Sequence, residues 1–146
     1  MYKRGKSFEE IEIGETASFT KTITETDVYL FAGISGDFNP LHVDEEYAKT
    51  TSFGTRIAHG GLAASLLAPV LGMKLPGIGT IALETTTKFR KPTYFGDTIT
   101  CSVEVTAKQI KMKMVTMKIL WTNQRNEIVC KGECKVIPPS SLPEIP

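Results

Sequence analysis

Asp37 and His42 stand five positions apart in Gly36-Asp37-Phe38-Asn39-Pro40-Leu41-His42, a segment whose glycine and proline keep it from continuing as a helix. One carboxylate and one imidazole are thereby set within reach of the same small reactant. An imidazole changes charge near neutrality and a neighbouring carboxylate can hold it in either state, so such a pair can take a proton and return one. Adding water to a double bond, or removing it, calls for this chemistry, because hydroxyl and hydrogen reach adjacent carbons and both protons pass through nearby groups. A Ser-His-Asp hydrolase fits poorly, since the sequence has no Gly-x-Ser-x-Gly elbow. The plainer reading is a loop in which Asp37 accepts turn amides and His42 fills space. The stiffness of Asn39-Pro40 weighs against it.

The second of the two histidines opens His59-Gly60-Gly61, a glycine-rich helix start that leaves amide donors at the positive end of the helix dipole. Such donors suit an anionic oxygen. If the substrate is a thioester, charge passed to its carbonyl oxygen would meet one amide, Gly60 being the first choice, in an arrangement worth about 3 kcal/mol per donor. Close packing of helix on sheet explains the same glycines. His59 reads as a hydrogen-bonded partner holding the Arg56-Ile57-Ala58 loop, Asn39 as a cap, and Ser65 as structural support. Leu75-Pro76-Gly77-Ile78-Gly79-Thr80 is a turn whose glycines, Gly79 included, could let backbone approach a pantetheine arm. Lys88, Arg90, Lys91, Lys111 and Lys113 could reach phosphates, but scattered solvated charges explain them too.

The elements that must position these residues follow from pattern. Ala17 to Ile23 reads as a strand; Thr24 and Thr26 are candidate caps for a short helix through Val28, Leu30, Phe31 and Ile34, which Gly36 ends. Asn39 can cap a turn begun by Pro40, and Asp44 before Glu45 and Glu46 marks another helix start. From His59 to Met73 the chain is almost all apolar or small, which predicts a helix buried all round and bent at Pro69. Downstream the period becomes two. Runs through Ile81 to Phe89, Ile99 to Val105, Val115 to Trp121 and Ile128 to Val136 predict half-buried strands. A hairpin end or bulge is expected between Lys111 and Val115 and a turn at Asn123 to Asn126. Gly132, on an inner face, predicts close approach to the helix or a bulge.

A long apolar helix with four antiparallel strands after it and one before is an α+β plan in which a curved sheet wraps the helix. The 146 residues fit one domain over 1–146, with a core at about 15–137 and a proline-rich tail at 138–146. One small sheet cannot cover such a helix, so a homodimer, or a higher homo-oligomer, is expected. With 17 basic and 16 acidic residues the formal charge is +1, which gives no electrostatic case for nucleic acid or a membrane surface. No apolar run follows the basic Met1-Tyr2-Lys3-Arg4 before Glu9 and Glu10, as a secretory signal would require, and none has the length of a membrane span, which predicts a cytoplasmic protein. Cys101, Cys130 and Cys134 lie in apolar alternating runs as reduced small hydrophobes, and no metal site is expected.

Phe31-Ala32-Gly33-Ile34-Ser35-Gly36-Asp37-Phe38-Asn39-Pro40-Leu41-His42 and then Ala58-His59-Gly60 resemble the MaoC-like (R)-specific enoyl-CoA hydratases. The likeness continues through Leu75-Pro76-Gly77-Ile78-Gly79, Phe89-Arg90-Lys91-Pro92 and Gly96-Asp97. It implies a hot-dog fold, a dimer with sites near the subunit interface, no cofactor, and reversible hydration of trans-2-enoyl-CoA to (R)-3-hydroxyacyl-CoA. Asp37 and His42 would hold the water, and the Gly60 amide would face the thioester oxygen. Some relatives carry a polar residue further along the central helix, where this chain offers Ser65 or Ala68. The alternatives are a 3-hydroxyacyl-carrier-protein dehydratase, another acyl-thioester enzyme such as a thioesterase, and a non-catalytic acyl-CoA-binding protein. Leu62, Leu66 and Leu83 are the residues expected to set acyl pocket depth.

Overall fold

The computed structural model describes residues 1–140; the tail beyond them, part of the expected 138–146 extension, lies outside the described residues. Five strands form one antiparallel sheet: β1 (Thr16–Thr22), β2 (Ile81–Phe89), β3 (Thr98–Gln109), β4 (Met114–Thr122) and β5 (Ile128–Ile137), in the spatial order β1-β3-β4-β5-β2. Successive strands β1 and β2 therefore lie at opposite edges, so the chain between them must cross a face of the sheet. That crossing carries every helix among the described residues: α1 (Glu25–Ser35), α2 (Pro40–Val43), α3 (Glu45–Ala48), α4 (Gly60–Ala64) and α5 (Leu67–Pro69), followed by a π-helical turn at Val70–Lys74. This is the α+β hot-dog arrangement.

The period-two runs fold as their pattern predicts in the middle of the sheet. Cys101, Trp121 and Cys130 stand in one cross-strand row and Val105, Met117 and Cys134 in another. All six are buried, together with Leu62, Leu66, Leu67, Val70 and Leu71 from the crossing segment. Each large aliphatic side chain placed there contributes about 1.5–3 kcal/mol by leaving water. The β3–β4 turn falls at 110–113 and Asn126 takes a left-handed φ of 60° in the β4–β5 turn, as expected.

Three expectations need correction. The central helix is neither continuous nor buried all round. Leu66 N–H donates to Ala63 O and Ala68 N–H to Ser65 O, three residues back, tightening the turn just before Pro69, which brings no N–H of its own. Gly60, Gly61, Ser65 and Ala68 stay exposed along one side. Strand β2 is exposed almost throughout, because it is an edge with no layer over it; Ile81, Leu83 and Phe89 are 61%, 51% and 58% exposed. Gly132 does mark a close approach, but to β2 rather than to the helix: a Cβ there would lie 1.8 Å from the Thr86 carbonyl oxygen. Among the described residues no helix is long and apolar enough to cross a membrane.

Candidate functional site

Local chemistry builds the segment that carries Asp37 and His42. The Thr24 hydroxyl accepts from Asp27 N–H while the Asp27 carboxylate accepts from Thr24 N–H, closing a capping box that starts α1. Gly36, at φ 82°, ends it. The chain then turns on its own side chains: Asp37 N–H donates to Ser35 Oγ, Asn39 N–H to Asp37 Oδ1, and Leu41 N–H to Asn39 Oδ1. Pro40 begins α2, and Asp44 caps α3 by accepting from Tyr47 N–H. Arg56 clasps these short elements together. Its guanidinium donates to Glu25 and Tyr29 of α1 and to Glu45 of α3 while lying over the Phe95 ring, and these carboxylate contacts, Glu25 foremost, keep it firmly charged.

In the space this leaves, Asp37 Oδ2 lies 3.7 Å from His42 Nε2 and 4.0 Å from His59 Nε2. The Asp37 side chain is 51% exposed and that of His42 only 9%. His42 Nδ1 sits 2.7 Å from the Ile57 carbonyl, to which it donates, and this leaves Nε2 as the ring nitrogen facing Asp37. His59 Nε2 lies 2.8 Å from the Asp37 carbonyl oxygen, and the two imidazoles stack with centroids 3.8 Å apart at 27°. The Arg56-Ile57-Ala58 loop is tied by His42, by the Ile57 N–H to Leu41 O and Ala58 N–H to Thr93 O bonds, and at its end by His59, whose own partner is the Asp37 carbonyl. Asp37, His42 and His59 offer metal-type donor atoms within 4.8 Å of one another. His59 Nε2 is committed to the Asp37 carbonyl, so it is not free to join the other two donors on one ion, and the arrangement suits proton sharing better than coordination.

Gly60 and Gly61 follow directly, and among the described residues their N–H groups meet no acceptor. Gly60 is packed against Phe89, whose ring a Cβ would meet at 2.7 Å. Beside it opens a mostly apolar cavity of about 310 Å³ lined by Phe53, Ile57, Ala63, Phe89 and Pro92, to which Arg90 and Lys91 also contribute. Ser65 uses its hydroxyl on the Leu62 carbonyl at 2.6 Å. Gly79 is not brought to this group; it has φ 97°, packs on Pro139 and lines a separate groove with Phe8 and Ile137. Leu62 and Leu66 lie in the core, whereas Leu83 faces outward on the edge strand. Sequence reasoning missed the Ile57 carbonyl and the Phe31 ring, which packs 4.9 Å from His59. Backbone carbonyls carry no sequence signal, and Phe31 had only its helical spacing.

The sequence profile of the MaoC like domain matches residues 8–124. The (R)-specific enoyl-CoA hydratase of Rhodospirillum rubrum is 47% identical over 91% of this chain and 92% of its own length. This chain belongs to the MaoC-like domain family. A second relative, the 3-hydroxybutyryl-CoA dehydratase of Methylorubrum extorquens, is 41% identical over 88% of this chain and 82% of its own. Among solved structures, the unliganded R-hydratase from Pseudomonas aeruginosa superposes with a TM-score of 0.88 at 39% identity, covering 97% of this chain and 94% of that one.

Proposed function

We propose that this MaoC-like chain, working as a single domain, reversibly hydrates trans-2-enoyl-CoA to (R)-3-hydroxyacyl-CoA, with Asp37 and His42 as its catalytic residues. The observation that carries the reading is the carboxylate and the uncommitted imidazole nitrogen facing each other across 3.7 Å, too far to bond directly and close enough to share one water. Two lone pairs accept from that water and leave its oxygen free to add to the β carbon. The proton it gives up is taken by the pair, and the pair delivers one proton to the α carbon, so both residues end the turnover as they began. As the α carbon gains electron density, charge on the thioester oxygen is met by the Gly60 amide, which has no other acceptor. Apolar walls beside Gly60 suit the non-reacting part of the thioester. The scheme uses protein groups and water alone.

The active form in this reading is a cytoplasmic homodimer. What supports the dimer is the exposed apolar edge strand β2 together with the uncovered small-residue side of the central helix, faces that a second copy would bury. The test of the activity is direct. Purified protein mixed with crotonyl-CoA should remove the enoyl thioester absorbance and yield the R alcohol on chiral analysis. No turnover of short or medium enoyl-CoA chains, or an S product, contradicts the proposal. Running the same chains on a carrier protein in parallel reports which handle is preferred.

A further inference from the structure

We infer that His59 is a positioning residue that holds the two halves of the reacting pair in register, an inference that rests on the hydration reading above. Asp37 sits in a loop whose other bonds reach only two residues away, to Ser35 at the end of α1 and to Asn39, while His42 belongs to α2. His59 touches both. Its Nε2–H donates to the Asp37 carbonyl at 2.8 Å, and its ring face lies on the His42 ring at 3.8 Å. It comes from a third element, the start of α4, and is itself backed by Phe31 at 4.9 Å and 56°; Gly61 leaves room for that ring, since a Cβ there would lie 3.1 Å from it. A ring stacked on His42 fixes the plane in which the Nε2 lone pair points. A bond to the Asp37 carbonyl fixes where the carboxylate starts from.

Two simpler roles fail. Holding the Arg56-Ile57-Ala58 loop does not call for an imidazole at 59, because His42, Leu41 and Thr93 bond that loop directly and Glu25 and Glu45 hold Arg56. Filling core volume would be done better by phenylalanine, because His59 is 3% exposed and its Nδ1 finds no hydrogen-bond partner among the described residues. Burying an unsatisfied ring nitrogen is unfavourable, so the chain keeps an imidazole here at a cost that packing does not repay. The return is orientation: catalytic groups displaced by about 1 Å lose rate by up to about a hundredfold.

The test separates the two contacts. His59→Phe keeps the stack and loses the donor; His59→Gln keeps a donor toward the Asp37 carbonyl and loses the stack. With crotonyl-CoA, His59→Phe should lower kcat by about ten- to a hundredfold with KM within about twofold and the thermal midpoint near wild type, and His59→Gln should recover part of that loss. Wild-type kcat in both variants, or a loss confined to KM, overturns the inference. Imidazole NMR gives a readout independent of activity, because only two histidines contribute signals. In the wild-type protein the His59 hydrogen should be on Nε2, and the His42 ring protons should move in His59→Gln while staying near their place in His59→Phe. A His59 hydrogen on Nδ1, or His42 signals indifferent to the loss of the ring at 59, sinks the inference even where the protein proves not to hydrate crotonyl-CoA.

Discussion

Asp37 and His42 face each other from unlike surroundings: the carboxylate is half in water, where its charge is cheap, and the ring is buried with one nitrogen committed to the Ile57 carbonyl. That asymmetry leaves the ring a single free nitrogen, the one aimed at the shared gap. Elsewhere in the molecule single residues are kept from reacting. Burial pushes the thiols of Cys101 and Cys134 up to about 12 and that of Cys130 up to about 11, and all three are free cysteines in the core. Thiol titration with a disulfide reagent near neutral pH should therefore label none of them in the native protein and all three in denaturant. Rapid labelling of the native state would contradict the burial. At this scale the sequence was legible where a side chain reports its own chemistry, as Asp37, His42 and the cysteines do. It was opaque where partnership depends on a distant turn, as in the contact between His59 and the Asp37 carbonyl.

Elements obey a different logic, set by caps and close approaches. Thr24→Ala removes one side of the capping box of α1 and should cost about 1 kcal/mol in denaturant unfolding. Gly132→Ala should cost about 3 kcal/mol, because the new methyl would meet the Thr86 carbonyl unless β2 and β5 separate. An unchanged unfolding midpoint for Gly132→Ala would show that the two strands are not held so closely. Thr24, Gly36, Asn39, Pro40 and Asp44 could be read correctly because each acts within a few residues of itself. The exposure of β2 could not: its alternation in Ile81, Leu83 and Thr85 says that one face wants cover but not whether the same chain supplies it. The break near Ser65 and the wide turn at Val70–Lys74 were half legible, since Pro69 announces a missing amide but not how its neighbours rearrange.

For the molecule as a whole, strand order explains the architecture: β1 and β2 at opposite edges oblige the intervening chain to lie across the sheet, and it carries the candidate site with it. The unpaired side of β2 then offers apolar surface to a second copy. Sedimentation should find a dimer, and Leu83→Lys, which places charge on that exposed edge, should shift it toward monomer; a wild-type monomer would contradict the proposed assembly. The three thiols also tie stability to alkali. In the unfolded chain they ionise around their ordinary value of 9.0, whereas the folded protein holds their protons to about 11 or 12. Their folded values are raised, so this stabilisation is complete below the unfolded value and is lost as pH rises through the window between the two. The thermal midpoint should fall over that window, and fall less steeply in Cys101→Val.

The central claim is that Asp37 and His42 act as one unit on one water. Initial rates of crotonyl-CoA hydration by Asp37→Asn, His42→Ala and the double variant, each checked for retained fold, test it most directly. Each single change should lower kcat by about a thousandfold or more, and the double change should lower it little further, as expected for groups that work only together. Near wild-type turnover in either single variant, or losses that simply multiply in the double, would contradict the account.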